Sequence, residues 1–476
     1  MNKTILYSKL ITLFLLSIGN LTNAQITTFE KTFGGNNAEY GHALSLTADG
    51  GFIITGQTFS NGDTLGDSYL IKTDSEGNLL WSKTVGGNNV DGGNSIFQTS
   101  DGGYFVTNHT ESYGAGDCDS WVFKTDSAGN LLWSKTFGGI IDDIGQEGIE
   151  TSDGNFIVTG ITGAHKDSIG GDAFLVKYSQ AGNILWNKTY GGAGSEDGRR
   201  IIESPDGGFV ITGMTTTNSN GQQDILVYKI NANGDLLWLK NFGGAGIEEG
   251  YGLSLTSDGG YVICGFSTSF GTGDEDAFLI KVNDSGNQLW SKNYGGTSNE
   301  IALSVASTPD GGFVMTGFTK SFGDSLDMLL IKTDEYGNQI WMKTFPDKNY
   351  LKECNWIVAC PDGGYAMVGS KGKIGEYPDL YFLKTDSEGN TYTNIIDPGK
   401  TSSAFFVYPN PSLNSINLSY DNSISNPIIQ IYNFLGKLVI DEKNEKSINI
   451  SGLPSGFYYI TLKDGNKIFS KKFVRE

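Results

Sequence analysis

The sequence has few of the residues on which metal centres, disulfide frameworks and nucleic-acid surfaces depend. Its 476 residues include only three histidines and four cysteines. His42, His109 and His165 occupy unlike positions of a repeated unit, which argues against a three-histidine metal centre. Acidic residues outnumber basic ones by 53 to 33, and the net charge is −20. A sizeable nucleic-acid-binding surface is therefore excluded.

Disulfides and membrane-spanning helices are also not expected. Cys118 and Cys264 fall in different repeat units, and no C-x-x-C metal signature is present. Cys354 and Cys360 lie on one predicted strand, roughly 20 Å apart if extended and beyond disulfide reach. After residue 24, no apolar run approaches the ~18 residues of a membrane helix. The mature chain is therefore predicted to have no transmembrane segment, and a monomer is expected.

Residues 1–24 are predicted to be a secretory signal peptide. Lys3 and Lys9 form a basic start, the apolar run Leu10–Ile18 follows, and small residues lead up to Ala24. The apolar run is too short to span a bilayer as a helix. The chain is therefore expected to enter the periplasm.

Glycine, by contrast, is abundant, and many of the 67 glycines belong to a sequence repeat. An Asp-Gly turn followed by an aromatic or apolar residue recurs at spacings of 52 or 53 residues, starting at Asp49, Asp101, Asp153, Asp206, Asp258, Asp310 and Asp362. A second marker is an Asp, a short apolar run and a Lys, first seen as Asp67 to Lys72. A third is a Trp after a Gly-Asn or Gly-Asp turn, first seen as Trp81. The chain therefore contains seven similar units.

Each unit is predicted to form four short strands, because runs rich in Ile, Phe, Tyr, Val and Thr alternate with turn residues. Four strands every ~52 residues, without helical periodicity, indicate propeller blades. The seventh unit lacks a fourth strand, whereas Thr27–Phe33 near the N-terminus copies Leu79–Val85. Residues 25–395 are therefore predicted to form an all-β, seven-bladed β-propeller of four-stranded blades. The N-terminal strand would close the last blade and remove an exposed edge.

The C-terminal residues form a separate pattern of short strands after a linker at 396–404. Residues 405–476 closely resemble the type A C-terminal sorting domain of the Bacteroidota type IX (Por) secretion system. The resemblance rests on Val407–Pro411, Ile429–Asn433 with Gly436, Ile448–Ile450, Leu453–Tyr458 and Lys471–Val474. Its motif positions here are Tyr408, Pro409, Asn410, Pro411, Gly436, Gly456, Lys471 and Lys472.

The resemblance implies a small β-sandwich that directs the protein across the outer membrane, with the type IX machinery and its sortase as partners. The product would be anchored at the cell surface or released. An ordinary adhesive or carbohydrate-binding β-sandwich is the alternative on pattern grounds. The repeats also resemble those of secreted bacterial proteins grouped with quinoprotein-like propellers, and this second resemblance specifies blades rather than chemistry.

One position of the repeat carries an acid in six units, ten residues before the Asp-Gly turn: Glu39, Asp91, Asp143, Glu196, Glu248 and Glu300. The seventh unit has Lys352 there. These carboxylates are expected at the channel mouth, where they could bind a cation, with calcium as the candidate, or a basic partner. Regular repetition favours the other interpretation, in which each acid accepts backbone N–H bonds from its own loop.

Three residues after the acidic position the repeat varies most, and this variation marks the candidate ligand site. The candidate residues are His42, Arg199, Arg200, Tyr251, Asn355 and Trp356. Aromatic rings beside arginine and asparagine suit sugar stacking and hydrogen bonding. Ordinary drift at a solvated channel mouth is the alternative.

No H-E-x-x-H, G-x-S-x-G or phosphate-loop signature is present, and no catalytic residue is predicted. The prediction is a secreted or surface-attached binding module for an extracellular glycan or protein. A polysaccharide hydrolase or lyase that uses the acidic mouth is the first alternative, and a quinone-dependent dehydrogenase is the second.

Overall fold

The computed structural model describes residues 27–62, 65–164, 170–323 and 326–391, and in the C-terminal part 405–408, 411–420, 424, 427–433, 437–464 and 467–475. The predicted signal peptide and the linker lie outside these residues. The chain divides into two compact units between Thr391 and Tyr392. All regular elements of the described residues are β-strands, numbered here β1 to β35.

The first unit contains seven four-stranded antiparallel sheets, here called blades 1 to 7. Blades 1 to 3 consist of β2 (Glu39–Leu46), β3 (Phe52–Thr58), β4 (Asp67–Thr73), β5 (Leu79–Val85), β6 (Asp91–Gln98), β7 (Tyr104–Thr110), β8 (Asp119–Thr125), β9 (Leu131–Phe137), β10 (Asp142–Glu150), β11 (Phe156–Ala164), β12 (Asp172–Tyr178) and β13 (Ile184–Tyr190). Blades 4 to 6 consist of β14 (Glu196–Glu203), β15 (Phe209–Thr215), β16 (Asp224–Ile230), β17 (Leu236–Phe242), β18 (Glu248–Leu255), β19 (Tyr261–Ser267), β20 (Asp276–Val282), β21 (Gln288–Tyr294), β22 (Glu300–Ser307), β23 (Phe313–Thr319), β24 (Asp327–Thr333) and β25 (Gln339–Thr344).

Blade 7 draws its strands from both ends of this unit. It contains β26 (Tyr350–Ala359), β27 (Tyr365–Lys373) and β28 (Asp379–Thr385), and its fourth strand is β1 (Phe29–Phe33). Strand β1 runs antiparallel to β28, with Phe29 opposite Lys384 and Phe33 opposite Leu380. The predicted pairing of the N-terminal strand with the last blade is therefore present.

The first strand of each blade is called its inner strand. Each inner strand contacts that of the next blade, and β26 contacts β2. The unit is a seven-bladed propeller built as the repeat predicts. One detail differs, because the inner strands begin about three residues earlier than predicted. The acidic residue is the first residue of the inner strand in five blades, as Glu39 is in β2. In blade 3 it is the second residue, and blade 7 has Lys352 at this position.

Two markers of the repeat meet in an ion pair inside every blade. The ammonium group of a buried lysine on the third strand contacts the aspartate of the Asp-Gly turn at 2.5–2.9 Å. Lys72, for example, is 4% exposed, and its Nζ lies 2.9 Å from Asp49. The pairs are Lys72–Asp49, Lys124–Asp101, Lys177–Asp153, Lys229–Asp206, Lys281–Asp258, Lys332–Asp310 and Lys384–Asp362.

The third marker connects successive blades. A side-chain carbon on Gly129 would lie 2.7 Å from the ring of Trp81, and Gly129 has a φ of +74°. Glycine is therefore required both for the turn and for the close approach of the tryptophan from the preceding blade. In blade 7, Phe29 replaces the tryptophan and lies beneath Gly77 of blade 1, as predicted from its alignment with Trp81.

The second unit contains two sheets around one core. One sheet has the order β29 (Phe405–Tyr408), β30 (Ser415–Tyr420) and β33 (Ser447–Asn449); the other has β32 (Leu438–Lys443), β31 (Ile428–Asn433), β34 (Gly456–Asp464) and β35 (Lys467–Arg475). Ile416 and Leu418 from the first sheet pack with Ile431, Ile460 and Phe473 from the second. Two antiparallel sheets that share one core form the β-sandwich that the resemblance implied.

Candidate functional site

The most variable position of the repeat is a β-bulge on each inner strand. In blade 4, Gly198 lies opposite Gly213 and Arg200 lies opposite Thr212, so Arg199 has no opposite residue. A bulge changes the direction of the side chain that it inserts. The bulged residues are His42, Asn94, Gln146, Arg199, Tyr251, Leu303 and Asn355. Sequence variation is therefore concentrated where the inner strands depart from regular pairing.

Arg199 and Tyr251, two predicted ligand residues, belong to one cluster on neighbouring blades. Arg199 Nε donates to Asp197 Oδ2 at 2.8 Å, and Nη1 donates to Glu249 Oε2 at 2.6 Å. The hydroxyl group of Tyr251 donates to the same Glu249 oxygen at 2.7 Å. The guanidinium carbon lies 4.2 Å from the centre of the Tyr251 ring, which is within cation–π range.

The electrostatics of this cluster keep Arg199 charged. Burial opposes the charge, but Asp197 and Glu249 outweigh it and raise the pKa of Arg199 above its ordinary value. The Arg199 side chain is 17% exposed and that of Glu249 is 14% exposed. The cluster is therefore accessible in part, while its charges are already compensated internally.

Arg200 and Trp356 form a second contact between blades that are not neighbours. Arg200 belongs to blade 4 and Trp356 to blade 7, yet the guanidinium carbon lies 3.8 Å from the centre of the indole ring. The two side chains therefore meet across the space enclosed by the inner strands. One face of the Trp356 ring is covered by this contact.

Glu147 of blade 3 adds a carboxyl group with an altered pKa. Its Oε2 accepts a hydrogen bond from the Ile201 amide at 2.8 Å. Burial raises the pKa of Glu147 to about 7, although Arg200 and the Ile201 amide act in the opposite direction. Perturbed carboxyl groups are enriched at functional sites.

His42 and Asn355 make different contacts from the arginine clusters. Asn355 Nδ2 donates to the carbonyl of Gly41 at 2.9 Å, and His42 Nδ1 lies 2.8 Å from the carbonyl of Gly93. Both bulged side chains thus bridge to the inner strand of the following blade. Burial lowers the pKa of His42. The six predicted ligand residues therefore form two stacked pairs and two bridges rather than one continuous surface.

Three carboxylates of this region were not among the predicted site residues: Glu147, Asp197 and Glu249. Asp197 and Glu249 lie two residues before the bulge of their inner strands, and Glu147 lies one residue after it. Their side chains interact with arginines from the same or a neighbouring blade. The sequence signal that could have identified these carboxylates is their short distance along the chain from the variable position.

The six carboxylates of the acidic position are at most 2% exposed. Glu300 is typical: its Oε2 accepts from the Gly296 amide at 2.6 Å, and Oε1 accepts from Thr319 Oγ1 at 2.6 Å and from the Ser321 amide at 3.0 Å. Amide hydrogen bonds of the same kind reach Glu39, Asp91, Asp143, Glu196 and Glu248. Each acid therefore joins the glycine loop before its inner strand to the loop after the second strand.

Possible metal ligands are dispersed in the described ranges, and the cysteines there are buried. These ranges contain no group of three His, Cys, Asp or Glu side chains placed to hold a metal ion. All four cysteines are free and buried, and burial raises the pKa of each thiol to about 12. Over the same part of the chain, no helix has the length and apolar character needed to cross a bilayer.

In the C-terminal unit, five of the eight predicted motif positions lie within the described residues. Tyr408 ends β29 and is 51% exposed, whereas Gly456 begins β34 with a φ of +154°. Lys471 and Lys472 belong to β35. Pro411 precedes β30, and Pro409, Asn410 and Gly436 lie outside the described residues.

Comparisons with known proteins bear on both units. Residues 406–476 match the family model described as the secretion system C-terminal sorting domain. The ulvan lyase NLR42 of Nonlabens ulvanivorans is 41% identical over 73 residues, 14% of either chain. The regulatory protein FlaEY of Caulobacter vibrioides is 25% identical over 241 residues, 43% of this chain and 25% of that protein. The chain thus spans a quarter or less of the length of these curated relatives.

Among solved structures, PorZ, a surface component of the type IX secretion system of Porphyromonas gingivalis, superposes with a TM-score of 0.42 and 13% identity, covering 93% of this chain and 60% of that one. The family match agrees with the β-sandwich and with the motif positions found in sequence. The C-terminal residues therefore form a type IX secretion sorting domain, which marks the protein for export to the cell surface or the medium.

Proposed function

We propose that the exported propeller is a binding module for an extracellular glycan, which it holds at the arginine–aromatic clusters of the inner strands. The observation that carries the proposal is the convergence of Arg199 with Tyr251 and of Arg200 with Trp356 at and beside the bulges. The remaining repeat positions serve the architecture with nearly the same residues in every blade. Unlike residues at the bulges are what a ligand site requires.

The chemistry of the clusters suits a polyhydroxylated ligand. Aromatic rings offer faces to the C–H groups of a sugar, and charged guanidinium and carboxylate groups offer donors and acceptors for its hydroxyl groups. Glu249 already accepts from Arg199 and Tyr251, so it is held in one orientation before the ligand arrives. Preorganisation of this kind lowers the entropic cost of binding.

The test is a thermal-shift screen of the full chain against an oligosaccharide panel, calcium, a chelator and a quinone cofactor. A ligand at ~100 times its Kd adds roughly 2.7 kcal/mol of stability, so a genuine binder is visible. For a sugar that shifts the melting temperature, Trp356→Leu is expected to weaken binding about tenfold or more, because the Arg200 stack is lost.

The matched control is Trp341→Leu, which removes a tryptophan from outer strand β25 and leaves the inner strands unchanged. Equal affinity of Trp356→Leu and Trp341→Leu would contradict the assignment of the site. Cleavage of the bound sugar would indicate a hydrolase or lyase. A shift with quinone alone would indicate a dehydrogenase, and a protein ligand would be favoured if no small molecule shifted the melting temperature.

A further inference from the structure

The first two strands of blade 7 carry a carboxylate on one face and lysines on the other. Successive side chains of a strand point to opposite faces of its sheet, so the neighbours Lys352 and Glu353 of β26 point to different faces. Ser370 of β27 lies opposite Glu353 and shares its face, whereas Lys371 lies opposite Lys352. The ammonium group of Lys352 donates to the carbonyl of Phe345 at 3.1 Å. The sheet therefore separates the Glu353 carboxylate from these two lysines.

A cavity of about 210 Å³ lies on the face that carries Glu353. Alternation along the two strands assigns four of its lining residues to this face: Leu351, Glu353, Ser370 and Gly372. A side-chain carbon on Gly372 would lie 3.0 Å from Pro378, so this proline packs against the glycine and forms one wall. The volume is below the roughly 300–1,000 Å³ of sites for drug-sized ligands, and the cavity therefore suits a small molecule.

The Glu353 carboxylate has unused capacity to accept hydrogen bonds. Its Oε1 accepts from Ser370 Oγ at 2.9 Å, which holds the carboxylate in place, and a carboxylate has about four acceptor sites. Lys373 also lines the cavity, but its ammonium group is paired with Glu376. In the part of the chain that the structure describes, Glu353 has no ion-pair partner. The face that lines the cavity thus has one uncompensated negative charge.

His42 of blade 1 does not supply the missing positive charge. It interacts electrostatically with Glu353, which raises its pKa, but burial is the larger influence and lowers it. The imidazole Nδ1 lies 2.8 Å from the carbonyl of Gly93. Because the pKa of His42 is below its ordinary value, the ring is neutral at pH 7. A cation that pairs with Glu353 would therefore come from a ligand.

Exposed apolar side chains lie beside this cavity. Leu351, which lines it, is 42% exposed, and Ile374 and Tyr377 are 57% and 69% exposed. Ile374 and Tyr377 belong to the loop after β27, which also supplies Gly375 and Glu376 to the lining. Exposed apolar surface around a cavity is typical of a binding site. It offers contacts to the C–H groups of a sugar ring.

We propose that this cavity binds a protonated amino sugar of monosaccharide size, with its ammonium group on the Glu353 carboxylate and its ring against the apolar walls. Those walls are formed by Leu326, Leu351 and Pro378. A hydrogen bond between a carboxylate and an ammonium group is stronger than one between neutral groups. The net charge of −20 also favours a cationic ligand. The site shares no residue with the arginine–aromatic clusters, so it does not depend on the function proposed for them.

The test is isothermal titration of the full chain with D-glucosamine at about pH 6.5, where a primary amine is protonated. D-glucose, which has the same ring without the charge, is the comparison ligand and should bind at least tenfold more weakly. Glu353→Gln should weaken glucosamine binding about tenfold or more, because a charge-assisted hydrogen bond is lost. Leu351→Trp should weaken binding to a similar extent by filling the cavity while every charge is kept.

Glu388→Gln is the matched control, since Glu388 is an exposed glutamate in the turn after β28 and does not line the cavity. It should bind glucosamine as the wild type does. Melting curves of all variants establish that they fold, and Leu351→Trp keeps the test decisive if Glu353→Gln does not. The proposal is overturned if the wild type does not bind glucosamine, if both cavity variants bind it normally, or if Glu388→Gln weakens binding equally. It is also overturned if glucose binds as tightly as glucosamine and the cavity variants lose both sugars alike.

Discussion

A junction is the segment that leads from one blade to the inner strand of the next. The equivalent position of the repeat carries a buried carboxylate at six junctions and a buried ammonium group at the seventh. At the six regular junctions, a buried carboxylate accepts amide hydrogen bonds from its own glycine loop, as Glu300 does from Gly296. At the junction before blade 7, the Nζ of Lys352 donates a hydrogen bond to the carbonyl of Phe345. Internally satisfied groups belong to the architecture, whereas a buried group with remaining capacity is available to a ligand.

The same contrast applies to the inner strands. The repeated positions pair with one another, as Lys72 does with Asp49 in blade 1. The bulged positions differ from blade to blade and bring together side chains such as Arg199 and Tyr251. Regularity in the sequence therefore indicates structure, and departures from regularity indicate candidate sites.

The difference between the junctions is tested most directly by placing lysine, the residue found before blade 7, at one of the six regular junctions. Glu300→Lys should lower the free energy of unfolding by about 3–5 kcal/mol, because the ammonium group would face the amide and hydroxyl donors that now bind the carboxylate. Urea unfolding followed by tryptophan fluorescence measures this loss. Glu300→Gln keeps the shape of the side chain and one acceptor oxygen, so its free energy of unfolding should fall by less. An unchanged midpoint for Glu300→Lys would show that the acid is dispensable.

Blade 7 also differs from the others in its outer strand, where Phe29 replaces tryptophan. Phe29 lies 4.8 Å from Phe382 and 6.3 Å from Phe52, measured between ring centres. Phe29→Ala should cost about 3 kcal/mol through the loss of buried area and the cavity that remains. Thermal unfolding measures this effect. Phe29→Trp, which restores the residue of the repeat, should stay near the wild type, and a loss equal to that of alanine would contradict the assignment of β1 to the repeat.

The ion pair common to all blades can be tested in blade 2. Asp101→Asn should cost about 1–2 kcal/mol, because it leaves the buried Lys124 ammonium without its anion. The hydrogen bond from Lys124, with a second from Thr99, lowers the pKa of Asp101 to about 2. The folded pKa is below that of the unfolded chain, so this contribution is present above about pH 4 and is lost as the pH falls through about 2.

Urea midpoints of the wild type and Asp101→Asn at several pH values test this pair. The difference should be large at pH 6 and should vanish near pH 2. Asp117→Asn, at an exposed aspartate of the same blade, is the control and should match the wild type at every pH. A difference that does not depend on pH would refute the assigned charge effect.

The smallest effect is expected at Glu147, whose pKa differs in the opposite direction. Burial raises it to about 7, so its favourable contribution is present below about pH 4.5 and is lost as the pH rises through about 7. Glu147→Gln should therefore gain about 1 kcal/mol relative to the wild type between pH 5 and pH 6. Melting temperatures across this range measure the gain. A constant difference would mean that Glu147 does not titrate there.

Much of the architecture could be predicted because the repeat encodes local rules. The Asp-Gly turns, the alternating strands and the fit of Thr27–Phe33 to the outer-strand pattern were enough for seven blades and for the strand from the N-terminus. The early start of the inner strands was not predicted, because glutamate and glycine, the residue types of Glu39 and Gly41, are uncommon in strands. The bulge after Gly41 accommodates them within the strand.

The candidate site was predicted less completely. Variation within the repeat singled out Arg199, Tyr251 and Trp356, but the partners Glu147 and Glu249 were missed. Arg200 and Trp356 come from blades that are not neighbours, and no spacing along the chain records that contact. For the acidic position, the favoured interpretation describes residues such as Glu39, which is buried and accepts from the amide of its own glycine loop.

The sequence by itself determined the blade count, the strand from the N-terminus and the export domain, since each depends on short-range patterns or on a recognisable motif. Only the tertiary structure decided which charges are satisfied. Glu300 and Lys352 occupy equivalent positions, yet one accepts from several donors and the other donates to a backbone carbonyl. The physical reason is that burial and hydrogen bonding depend on groups brought together from distant parts of the chain.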